Sequence, residues 1–177
     1  MRKLTAVLAA VMVMVMVFTG CGAQEVTIES PVTVDQVHTE GKYAARAFIE
    51  SLFRDDRALF EACYPEGFLN DLNASAGVDV FEQYKGVMKV SGQFLGTGFA
   101  AYREYTVANG YDEAFLRSRI TKVTGLQYSQ VGEIQLQKIK VFFQYDTEEV
   151  NTDFYIIVYE AQGAWYVLES INVEKTF

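Results

Sequence analysis

The chain has 177 residues, 15 basic against 23 acidic, a single histidine and a formal net charge of −8. Nucleic-acid binding rests on neutralising phosphates, so an acidic chain without a basic stripe is excluded from that class. Half the residues are apolar, and 13 Phe, 11 Tyr and 1 Trp provide more buriable surface than a disordered chain carries, which points to one folded domain.

The chain opens on Met1-Arg2-Lys3 and runs without charge from Leu4 to Phe18. A short basic end followed by such a run is the layout of a secretory signal. The run is shorter than the ~20 residues of a spanning helix, and polar residues follow it (Gln24, Glu25, Thr27, Glu29). Phe18-Thr19-Gly20-Cys21 resembles the bacterial lipobox, with Phe18 standing where that pattern usually has Leu. The resemblance implies cleavage of residues 1–20 and a diacylglycerol on the Cys21 thiol. The domain would then be anchored by lipid at the outer face of the cytoplasmic membrane. An outer membrane, where the cell has one, is favoured by Gly22 in place of Asp. The alternative is an ordinary cleaved signal with a chance cysteine. Cleavage removes Arg2 and Lys3 but no acidic residue, so the remaining chain is more acidic still.

Residues 21–38 are polar, β-branched and without helical period, which predicts a lipidated terminus and flexible tether before a domain at 39–177. Ala44, Ala47, Phe48, Ser51 and Leu52 share one helical face, widened by Ala45, Ile49 and Phe53. After a short turn at Asp55-Asp56, a natural N-cap, Ala58, Leu59, Ala62 and Cys63 trace a second helix. Pro65 and Gly67 end it. Phe68, Leu69 and Leu72 suggest a further helical turn, and Val80, Phe81, Tyr84, Val87 and Met88 a third helix. The glycine-rich stretch 91–111 has mixed periods and no assigned element.

Residues 114–130, 132–147, 152–161 and 164–173 are rich in Ile, Val, Tyr and Phe and broken by turn residues, which predicts strands ending in a hairpin. Ile134 and Leu136 share one strand face, whereas Ile139, Val141, Phe143 and Tyr145 lie on the other. A bulge near Gln137-Lys138 would absorb that offset and bend the strand. The expected fold is α+β: N-terminal helices packed on the inner face of a strongly curved antiparallel sheet.

This order resembles the nuclear-transport-factor-2-like cone fold, locally in Ala44–Pro65 and Phe154–Val173. That superfamily includes isomerases, dehydratases, scaffold dimers and small lipid-anchored proteins, and fold does not choose among them.

Catalysis in such a cone needs a base at the pocket floor and a polarising donor opposite it. His38 precedes the first helix and reads as a surface residue. Cys63 has no neighbouring His or Lys in sequence and reads as a core thiol. No acid stands alone in an apolar strand. Arg117 and Arg119 alternate with Leu116, Ser118 and Ile120. As strand residues they would share one face, either to meet an anionic group or to pair across strands with acids such as Glu133. Gly92, Gly96 and Gly98 fit neither a dinucleotide fingerprint nor a phosphate loop. Metal-ligand spacing is absent, so neither metal nor cofactor is expected. Aromatics fall on both faces of the closing strands, and outward ones such as Tyr155, Tyr159 and Trp165 would form a surface for a protein partner, a homodimer or a small apolar ligand. The sequence therefore points to a non-catalytic, lipid-anchored binding module. The runner-up is a pocket enzyme using a buried carboxylate and tyrosines.

Overall fold

A computed structural model describes residues 25–88, 91–104 and 113–171. The leader, Cys21 and residues 105–111 of the unassigned stretch lie outside the described residues. The described chain is α+β, as expected.

Helix α1 (Gly41–Arg54) buries Ala44, Ala45, Ala47, Phe48, Ile49 and Leu52, the face that the periodicity marks. It stops where Asp55 turns left-handed (φ 58°) and returns its N–H to the Ser51 carbonyl. Asp56 then caps α2 (Arg57–Ala62), accepting the Leu59 N–H at 3.0 Å. Helix α3 (Phe68–Ala76) follows. Asp79 caps α4 (Val80–Val87) by accepting from Phe81 and Glu82 N–H.

Strands β1 (Gln93–Glu104), β2 (Val131–Tyr145), β3 (Glu148–Ala161) and β4 (Ala164–Ile171) form one antiparallel sheet in the order β1-β2-β3-β4. The unassigned stretch thus supplies an edge strand, β1. Its glycines hide the period-2 pattern, and its pairing with β2 shifts register at Phe94/Gly96 and Phe99/Ala101.

The expected strand 114–130 is instead helix α5 (Glu113–Thr124) and a short 3-10 turn at Tyr128–Gln130. Only Leu116 and Ile120 of α5 are buried. They stand four residues apart, one helical turn, on a segment otherwise so polar and β-branched that alternation dominated the sequence signal. They pack on Ile134, Leu136, Ile157 and Tyr159. Helices α1–α4 cover the opposite sheet face, over Ile139, Val141, Phe143, Ile156 and Val158.

The bulge expected near Gln137-Lys138 falls on the partner strand β1, not on β2. Opposite Lys138 and Ile139 the extra residue, Ala100, stands on β1, while β2 itself pairs with β3 through Gln137 and Lys138 without a shift. Its apolar set changes face because Ile134 and Leu136 look toward α5, whereas Ile139, Val141 and Phe143 look toward α1. In β2 the pairing with β3 is irregular only between Val131 and Ile134.

The segment expected to be a free tether is packed against the domain from its first described residues. Glu29 N–H donates to the Thr97 carbonyl (2.9 Å), and Phe99 N–H donates to Glu29 Oε1 (2.7 Å). Val32 and Val37 are buried. A Cβ at Gly98 would collide with the Thr27 carbonyl and the Val26 side chain. Glycine there lets the segment lie directly on β1. Residues 26–33 therefore form a strap along β1, held by polar groups that a composition-based reading takes for solvated ones.

Candidate ligand site

Two concavities with aromatic walls matter here, one beside His38 and one at the first turn of α1. The larger, about 480 Å³, lies between α2–α4 and β4, with Phe60, Tyr64, Phe81 and Tyr166 in its walls. His38 also lines it and is half-buried. Its Nδ1 lies 2.9 Å from the Trp165 carbonyl, and the Trp165 N–H returns a bond to the His38 carbonyl at 3.1 Å. A carbonyl only accepts, so Nδ1 carries the proton. The ring rests against Tyr166, with centroids 4.9 Å apart. His38 is thus a pinned wall residue, not the unpartnered surface histidine that its sequence position suggests.

Two of the charged groups at this mouth, Arg57 and Asp79, are engaged with each other. Arg57 donates to both Asp79 oxygens (3.3 and 2.7 Å) and lies 4.7 Å over the Phe81 ring. The guanidinium holds the Asp79 carboxyl below its usual range. Burial pushes the Tyr64 phenol well up, so it stays protonated through the physiological range.

Cys63 lies behind this wall, buried, with its Sγ 3.3 Å from the Leu59 carbonyl. Burial pushes its thiol far up, and no cation lowers it. In a Cys21→Ser variant, Ellman's reagent should leave Cys63 unlabelled in the native protein and label it fully in denaturant. Rapid native labelling would contradict its placement.

The smaller concavity, about 340 Å³, opens beneath the first turn of α1 and is lined by Gly41, Phe99, Tyr102, Gln135, Gln137 and Trp165, among others. Its floor is a ladder along one face of β2. Gln137 Nε2 donates to Gln135 Oε1 at 2.5 Å, and Gln135 Nε2 donates to Glu133 Oε1 at 2.7 Å. A Cβ on Gly41 would stand 2.8 Å from both Gln135 Oε1 and Gln137 Nε2, so glycine lets α1 begin directly over the two amides without displacing them. In sequence Gln135 is not singled out, and Gln137 reads only as a bulge position.

Compared with known proteins, no family model matches this chain, and no curated protein or solved structure matches it either.

The residues singled out from sequence are dispersed. Arg117 and Arg119 stand two apart on a helix, not on one strand face. Arg117 pairs with Glu113 (2.8 Å) and donates to the Val131 carbonyl, whereas Arg119 pairs with Glu169 (2.7 Å). They form no joint anion site, and their partners differ from the cross-strand acids expected. Tyr159 is 1 % exposed in the core beneath α5, with its ring 5.7 Å from that of Tyr166. It is therefore no part of an exposed aromatic face. Tyr155 sits beside Lys138. Trp165 is half-buried and, of these residues, is the one that lines a concavity beside the amide ladder.

The buried carboxylate that sequence reasoning did not find is Glu50, on α1. It is 0 % exposed and surrounded by Arg46 (3.2 Å), Thr97 Oγ1 (2.5 Å) and Val32 N–H (3.1 Å). Neither it nor Arg46, four residues before it on α1, is singled out in sequence. The strap that buries it arrives from 18 residues away.

Proposed function

We propose that this protein is a lipid-anchored, extracytoplasmic binding module that holds a small ligand in a concavity between α1 and the sheet. In this reading residues 1–20 are removed, Cys21 carries the lipid, and the sheet curves into a cone of the nuclear-transport-factor-2-like kind. Helices in quick succession followed by an antiparallel sheet support that placement. One observation carries the choice of binding over chemistry. The fully buried carboxylate, Glu50, is engaged by Arg46, Thr97 and Val32 and lines neither concavity. A pocket base would have to face the ligand. The concavities have the size and aromatic walls usual for small-molecule sites, ~300–1,000 Å³.

The strap gives the anchor a geometric consequence. Between Cys21 and Val26 the chain spans at most about 18 Å, at ~3.6 Å per extended residue. A domain strapped from Val26 onward therefore rides close to the membrane rather than on a long leash.

The test is to express the full chain and its Cys21→Ala variant in a bacterium, then fractionate and weigh both. The wild type is expected in the membrane fraction, shortened by its leader and heavier by a diacylglycerol. Cys21→Ala is expected to lose both the added mass and the membrane association. A wild-type protein that is soluble and unmodified would sink the anchor.

A further inference from the structure

We propose that the concavity beneath the first turn of α1 is a site for a neutral, planar ligand with an amide-like edge, an N–H donor beside a carbonyl acceptor. This deepens the binding reading above and rests on it. The argument begins at Glu133. A carboxylate only accepts, so the group facing it must be Gln135 Nε2, and this fixes which way the Gln135 amide is turned. Gln135 then presents Oε1 to Gln137, which must answer with Nε2. The ladder therefore has a polarity, and its last atom is Gln137 Oε1. Flipping both amides would set Gln135 Oε1 against the Glu133 carboxylate.

That last acceptor is left over. Gln137 is 1 % exposed, and its Oε1 is buried with no hydrogen-bond partner among the described residues. A buried acceptor without a donor is a standing cost, removed by any group that brings an N–H or O–H to it.

The roof supplies the opposite chemistry. Glu40, the residue before α1, makes no side-chain cap, while Tyr43 and Ala44 N–H both turn back to its carbonyl. The N–H groups of Gly41 and Lys42 have no intrahelical carbonyl to reach and no partner among the described residues. They are donors awaiting an acceptor. Side walls of Phe99, Tyr102 and Trp165 suit a flat, apolar body. Charge is matched locally, since Lys42 and Glu40 pair at 3.0 Å, so the site has no spare cation for an anion. A carboxylate ligand would bring acceptors alone and set one against Gln137 Oε1.

Benzamide and benzoate, matched in shape and different at this edge, are the probes. Trp165 is the only tryptophan in the chain and lies in the wall, so its fluorescence reads occupancy directly. Benzamide should change it saturably, and benzoate should bind about tenfold more weakly or worse, the scale of one buried hydrogen bond. Gln137→Met should remove that preference. Because this variant also takes a donor from Gln135, a crystal of the unaltered protein soaked with benzamide provides the independent check. The amide nitrogen should lie within hydrogen-bond distance of Gln137 Oε1. Equal affinity for both probes, no saturable Trp165 response, or a soaked crystal with Oε1 held by water would overturn the site. Benzamide bound instead in the larger concavity, indifferent to Gln137→Met, would overturn this site while leaving the binding-module reading standing.

Discussion

Arg46→Met should destabilise the domain by about 3–5 kcal/mol, a large share of the ~5–15 kcal/mol that holds a typical domain together. Arg46 is 2 % exposed and is the hub of the strap. Its guanidinium donates to Thr97 Oγ1 (2.9 Å), Glu29 Oε2 (2.6 Å), the Ser30 carbonyl (2.7 Å) and Glu50 Oε1 (3.2 Å). Removing it leaves the Glu50 carboxylate buried, with only Thr97, Val32 N–H and the more distant Arg54 (3.7 Å) around it. An uncompensated buried charge costs far more than the net gain from an intact pair. The double variant Arg46→Met/Glu50→Leu removes that charge as well, and should be more stable than Arg46→Met alone. Urea melts of the single and double variants check the sign of the coupling. Hydrogen exchange locates it: the Glu29 and Val32 amides, bonded to Thr97 and Glu50, should lose protection before the sheet does. Strictly additive losses, with strap protection unchanged, would mean that the network is not what holds residues 26–33.

The parts of this fold that are legible in sequence are those whose physics is local. Helical periodicity marks α1, α2 and α4, and the cap read at Asp55-Asp56 is borne out by Asp56, which accepts the Leu59 N–H at the start of α2. Strands β2 to β4 show through their β-branched and aromatic runs. What fails to show depends on residues far away in the chain. Glu50 and Arg46 give no local sign of burial, which comes from the strap closing over them. Leu116 and Ile120 look like strand residues until the second sheet face supplies their partners. Gln137 reads as a bulge position until α1 places Gly41 above it. The same long-range placement governs the candidate site. Trp165 is visible from sequence as an aromatic, but the amide ladder beside it exists only once β2 is paired and roofed.

Phe60→Ala should be comparably damaging, about 3–5 kcal/mol, the range for a buried Phe reduced to Ala in a core that cannot collapse onto the gap. Phe60 is 1 % exposed and joins three helices through ring contacts, with centroids 5.7 Å from Phe48, 5.3 Å from Tyr64 and 5.0 Å from Phe81. Those neighbours belong to α1, the turn after α2 and α4, so no single element can move inward to fill the void. For a chain of this size the loss corresponds to a melting temperature lower by on the order of 10 °C. Phe60→Leu keeps much of the volume and should lose markedly less. The two variants also separate the concavities, because Phe60 forms part of the larger one and none of the smaller. At temperatures where Phe60→Leu is fully folded, benzamide should still alter Trp165 fluorescence as it does in the wild type. A variant that melts normally with Ala at position 60 would show that the helices pack differently around this ring. A folded Phe60→Leu that no longer answers benzamide would place the ligand against Phe60, in the larger concavity, instead of on the amide ladder.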